Sequence, residues 1–184
     1  MTHATRILAF SIVASAAVAA QAPPQSAAPA PPAVWTISAD VNAPESAYYD
    51  ADSKAIFVSS INGQIGDKDG NGYISRLTPD GKVVNMKWVT GLNAPKGLRS
   101  VRGTLWVADI DEVVAVDIAG GRVISRVPIA GAKFLNDVAT AADGTVYVSD
   151  SQLFRIYAVK DGKAVAATPS PAVTSPSRAR SSAG

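Results

Sequence analysis

The stretch Asp143-Gly144-Thr145-Val146-Tyr147-Val148-Ser149-Asp150 decides the fold, because the chain writes it three times. It is a tight turn followed by a short apolar run that ends on a small polar pair. The same run stands at Arg102-Gly103-Thr104-Leu105-Trp106-Val107-Ala108-Asp109, with a looser copy at Asp52-Ser53-Lys54-Ala55-Ile56-Phe57-Val58-Ser59. A second apolar run follows each copy: Tyr73–Leu77, Val113–Val116 and Arg155–Val159. Another turn comes next: Pro79-Asp80-Gly81-Lys82, Ala119-Gly120-Gly121-Arg122 and Lys160-Asp161-Gly162-Lys163. Asp-Gly and Gly-Gly pairs suit these hairpins because the turn needs positive φ.

The central valines Val58, Val107 and Val148 lie 49 and 41 positions apart, the longer step carrying an insertion at Gln64–Gly72. A period of roughly 40–45 residues with four short strands per unit is the signature of a propeller blade. A β-sandwich would use similar strands but does not require its turns to recur in phase. No segment shows a sustained helical period. The expected fold is all-β, an incomplete β-propeller of about three blades of four-stranded antiparallel sheet over residues 34–163. Propellers close with typically 4–8 blades, which removes exposed sheet edges. An open arc is therefore expected to self-associate through its bare edge. Residues 164–184 lack aromatics and alternation and are rich in Pro, Ser and Ala. They are expected to be a disordered tail, with the third blade losing its last strand there. The mid-blade change of composition suggests a frameshift or early end rather than a natural tail.

The other end reads as an export signal. Residues 1–20 carry Arg6, an apolar core from Ile7 to Val18 and the small residues Ala17-Val18-Ala19-Ala20. A transmembrane helix would need roughly 20 apolar residues, more than this run holds, so no span remains after cleavage. Residues 21–33 form an Ala/Pro-rich linker. The expected location is periplasmic or secreted. In the 184-residue chain the formal charge of +2 is too small to point to nucleic acid. With no cysteine, there is neither a disulfide nor a thiolate site, and the only histidine, His3, lies in the leader. A Ser-His-Asp triad and a histidine zinc site are thereby excluded from the mature part.

In a propeller the innermost strand of each blade lines the central channel. By phase, Pro44-Glu45-Ser46, Pro95-Lys96-Gly97 and Leu135-Asn136-Asp137 are equivalent. Glu45, Lys96 and Asn136 should thus surround one mouth of that channel, with Lys96 a further candidate for the site. A carboxylate and a carboxamide oxygen aimed at one point are hard ligands suited to calcium or magnesium. The ordinary readings are a surface glutamate and an asparagine bonding its own backbone. Asp109 and Asp150, in phase after their strand cores, read as structural turn residues.

From about Pro44 to Lys163 the chain resembles the senescence marker protein/gluconolactonase/luciferin-regenerating enzyme family of six-bladed propellers. The resemblance rests on Pro44-Glu45-Ser46, on Phe134-Leu135-Asn136-Asp137-Val138 and on the run from Asp143 to Asp150. It implies a channel metal, calcium above all, with Glu45 and Asn136 as ligands, and hydrolysis of a small-molecule lactone or ester by an intact relative. The family's remaining ligand asparagine and its aspartate, the candidate general base, have no counterpart here. The expectation is therefore a truncated member, weakly active or inactive, with no catalytic residue assigned. NHL-type propellers share the strand pattern without the metal, so the alternative is a non-catalytic binding module of the cell envelope.

A second calcium signal is Asp67-Lys68-Asp69-Gly70-Asn71-Gly72-Tyr73-Ile74-Ser75, which follows an EF-hand loop from position one to nine. Position twelve is Thr78 rather than glutamate, and the flanks read as strands. Asp67, Asp69 and Asn71 remain candidate ligands of a non-helical loop. The ordinary reading is a polar, Gly-rich hairpin loop.

Overall fold

The computed structural model describes residues 33–165 apart from Ala39. The expected leader, most of the linker, and the tail beyond Val165 lie outside the described residues. Twelve strands form three four-stranded sheets, each paired antiparallel in chain order. The first blade holds β1 (Pro44–Asp50), β2 (Ala55–Ser60), β3 (Gly72–Leu77) and β4 (Val83–Leu92). The second holds β5 (Pro95–Val101), β6 (Thr104–Asp109), β7 (Glu112–Asp117) and β8 (Arg122–Pro128). In the third are β9 (Leu135–Thr140), β10 (Val146–Asp150), β11 (Arg155–Lys160) and β12 (Lys163–Val165). This is the incomplete β-propeller that the recurring turns predict. One detail differs. The third blade keeps its fourth strand, since Lys163 to Val165 pair with Lys160 to Ala158 across a hairpin.

The turns work as their residues require. Arg102-Gly103 and Asp161-Gly162 join paired strands with both central residues at positive φ (53° and 74°, 50° and 71°). That is the two-residue hairpin whose twist matches the flanking strands. Along the blades the register is the same: Val58 pairs with Ala47, Val107 with Leu98, and Val148 with Val138.

The core lies between blades rather than within them. One cluster joins Phe57, Ile74, Val89 and Leu92 of the first blade to Leu98, Leu105, Val107, Val114 and Val116 of the second. Another joins Ala108, Val113 and Val127 of the second to Val138, Val146, Val148 and Val159 of the third. The second sheet is a layer between two neighbours and is buried on both faces. The innermost strands stand side by side, β5 packed against β1 on one flank and β9 on the other. Among the described residues no helix is long and apolar enough to cross a membrane.

Candidate functional site

Each innermost strand begins with an irregularity. The ladder shifts register between Pro44 and Ser46, between Pro95 and Leu98, and opposite Val148 to Asp150. A bulge re-aims the side chains beside it, and Glu45, Lys96 and Asn136 sit at this point. In the outer blades a serine of the neighbouring strand holds the bulge. The Ser46 amide donates to Ser59 Oγ and the Asp137 amide to Ser149 Oγ, both at 3.1 Å. The second blade has Ala108 there and uses Gly97 instead. A Cβ at Gly97 would lie 2.1 Å from Asp137 Oδ1 and 2.6 Å from its Cα, so only glycine lets β5 approach β9 this closely.

The three expected channel residues are therefore brought to one end of three adjacent strands, but their environments differ. Glu45 is exposed. Partial desolvation pushes its carboxyl pKa up, Lys96 pulls it down, and Asp137 adds to the rise. Asn136 is half-buried and donates from Nδ2 to Ser151 Oγ at 3.0 Å. Lys96, expected as a free side chain at the mouth, is only 1% exposed. Its ammonium donates to the carbonyls of Ala94 (2.9 Å) and Ile65 (3.4 Å) and lies 4.5 Å from the centre of the Phe134 ring. Burial lowers its pKa, against the fields of Asp109 and Glu45, which raise it.

A calcium ion takes six to eight oxygen ligands. Among the described residues the mouth offers the carboxylates of Glu45 and Asp137, the latter beside Arg99, and the carboxamide of Asn136, engaged through its nitrogen. The ammonium of Lys96 is rooted on the strand between them. A fixed positive charge there opposes a second cation, and the donor set does not fit a divalent metal. Among the described residues no group of three or more His, Cys, Asp or Glu side chains is placed to share an ion.

The other candidate loop is tied up internally. Asp69 accepts from the Asn71 amide (3.2 Å) and from Asn71 Nδ2 (2.6 Å). Gly70 N donates to Asn93 Oδ1, and Asn62 Nδ2 to the Asn71 carbonyl. Lys68 pairs with Asp111 at 2.5 Å. Strands flank it on both sides, as the sequence predicts, and the Lys68–Asp111 pair docks the loop on the second blade's rim. Asp67 makes only a backbone contact, its amide donating to Gln64 O.

Asp109 and Asp150 are structural. The Asp109 carboxylate, fully buried, accepts from the amides of Asn93 and Ala94, both at 2.8 Å. Asp150 accepts from Lys133, Gln152 and Leu153. Both therefore pin the crossover into their own blade. Ser60 takes this position in the first blade, and its buried Oγ has no partner. Sequence reasoning missed Asp137, whose carboxylate lies 3.9 Å from the Arg99 guanidinium. The signal was its place directly after Asn136, opposite the glycine of β5. Phe134, the lid on Lys96, carried no such signal.

At the opposite end of β1, an open cleft of about 480 Å³ between the first two blades is lined by Asp50, Asp52, Arg76, Arg102 and Asp117 among others. Its charges are mixed, and Asp50 is engaged with Ser53 N and Ser100 Oγ.

No family model matches the chain, and no curated protein matches it either. Among solved structures it is similar to a chain from the crystal structure of a nidogen/laminin complex, a YWTD β-propeller. The TM-score is 0.52 at 17% identity, over 65% of this chain. The match spans 44% of that chain, less than half its length. At this identity the likeness carries the fold, and it is the propeller fold.

Proposed function

We propose that this chain is a non-catalytic propeller module that recognises a protein partner through the loops around its channel mouth. The observation that carries this is the buried ammonium of Lys96, rooted between Glu45 and Asn136 where a metal-dependent hydrolase needs a cation of its own. The mouth supplies a rim instead: the docked loop from Gly63 to Asn71 with exposed Asp67, Lys68 and Asp69, beside Glu45 and Asp137. Such a rim offers both charges and many amides at little ordering cost, as a recognition surface should. The similar propeller was solved in a complex between two proteins, and protein binding is carried over here as part of the proposal. From the leader, the module works in the periplasm or outside the cell.

The competing reading is the gluconolactonase-type hydrolase, in which Glu45 and Asn136 would hold calcium and a lactone or simple ester would be the substrate. Glu45 favours it, being a carboxyl group exposed at the mouth. Assay of the purified chain on simple lactones and aryl esters, with millimolar calcium, separates the two. The expected result is no rate above buffer, and none removed by Glu45→Gln. A calcium-dependent rate that falls at least tenfold in Glu45→Gln would overturn the binding-module proposal.

A further inference from the structure

The chain makes the same interface twice. In each, a blade presents one face forward and the next blade receives it on the other. The receiving positions are Leu98, Leu105 and Val107 in the second blade, and Val138, Val146 and Val148 in the third, all buried. The presenting positions are Phe57 and Ile74 in the first blade, and Trp106 and Val113 in the second. The register assigns the unused halves. Ala47, Ile56 and Val58 are the receiving positions of the first blade. With Leu77 and Met86 they line an apolar cleft of about 170 Å³, its rim formed by Trp35 and Ile37. Tyr147 and Ile156 are the presenting positions of the third blade. They stand 44% and 61% exposed, where their counterparts are packed in clusters.

We propose that the presenting face of the third blade docks on the receiving face of the first blade of a second copy, and reciprocally. Two three-bladed arcs then close one ring about a two-fold axis along the channel. The occupant follows from the surfaces themselves. Each terminal face is one half of a contact this chain already forms twice, so a second copy carries the matching half at the matching end. The count agrees, since propellers close with about 4–8 blades. Two copies of the three described blades give six, within that range. A heterologous contact closes into a ring when its rotation allows, and closure also removes both bare faces. The pairing sets two copies of Glu45, Lys96 and Asn136 around one channel. It stands independently of what that channel mouth binds.

Sedimentation of the full chain at micromolar concentration tests this, alongside Ile156→Glu and Ile56→Glu. Wild type should run at twice the chain mass. Each variant should run as a folded monomer, its dimer weakened at least tenfold and its far-ultraviolet circular dichroism unchanged. A wild-type monomer would mean that residues 34–41 suffice to cover the first blade, and would overturn the proposal. So would an open series of larger species, or a dimer that survives both substitutions. Should either variant fail to fold, the wild-type mass still decides.

Discussion

The second blade is covered on both sides, whereas the first and third are each covered on one. Leu105, Val107, Val113, Val114 and Val116 are all fully buried in the middle sheet, while the third blade leaves Tyr147 and Ile156 in solvent. The side chains at equivalent positions are nonetheless of the same kind. Each blade's sequence is thus written for two neighbours, and a residue's burial depends on its place in the arc rather than on its local pattern. The comparison also separates the crossover anchors, with Asp109 and Asp150 fully engaged and Ser60 unpartnered.

The sharpest way to break this comparison is to truncate equivalent apolar positions. Leu105→Ala should cost about 3 kcal/mol, within the range for emptying a packed core site. Ile156→Ala should cost less than about 1 kcal/mol in dilute solution, where its face is open. Urea unfolding of both variants checks the difference, and equal losses would mean the terminal face is packed after all.

The anchors come next. Asp109→Ala strands one buried and one part-buried amide and should cost about 2 kcal/mol. Ser60→Ala removes an unpaired buried hydroxyl and should be neutral within about 0.5 kcal/mol or slightly stabilising. A Ser60→Asp variant sharpens the point. If the first crossover can be pinned as the other two are, it gains stability.

Acid should act through the Asp150 anchor and through two further carboxylates, Asp50 and Asp143. Burial would raise the carboxyl pKa of Asp150, but the amides of Lys133, Leu153, Phe134 and Gln152 outweigh it and hold it below the usual value. Desolvation of Asp50 is likewise outweighed by Ser100 and Ser53. At the β9–β10 turn, Thr145 and Lys160 bring Asp143 to about 2. For groups with depressed pKa values the stabilisation is complete above the unfolded value, about 4. It is lost as pH falls through the folded one. Thermal midpoints should stay level from pH 7 to about 5 and drop below about 4. Asp150→Asn should shrink that drop.

Lys96→Met should change stability by no more than about 1 kcal/mol. A buried charge replaced by an apolar side chain of similar length is often nearly neutral. Lys96→Glu should unfold the mouth by placing a carboxylate against the carbonyls of Ala94 and Ile65.

Much of this was legible in the sequence. The turns, the strand cores, the phase of the repeats and the grouping of Glu45, Lys96 and Asn136 all follow from spacing, because hairpin geometry and the two-residue strand period are local rules. The burial of Lys96 was not legible. A lysine at a strand start gives no sign whether its ammonium reaches solvent, and here Phe134, 38 positions on, supplies the cover. Nor was β12 visible, since Lys163-Ala164-Val165 has no alternation and becomes a strand by pairing with β11. The Asp69–Asn71 contact was likewise hidden, because ligand spacing does not reveal whether the donors face an ion or each other.

With its ammonium buried between Glu45 and Asn136, Lys96 is proposed to leave no place there for a divalent ion. Calorimetric titration of the chain with calcium tests it most directly, with Glu45→Gln and Asp69→Ala beside it to distinguish mouth from loop. No saturable binding is expected up to about 1 mM, the weak end for extracellular calcium modules, with identical traces for all three proteins. One-site binding tighter than that, abolished by Glu45→Gln and unchanged by Asp69→Ala, would contradict it.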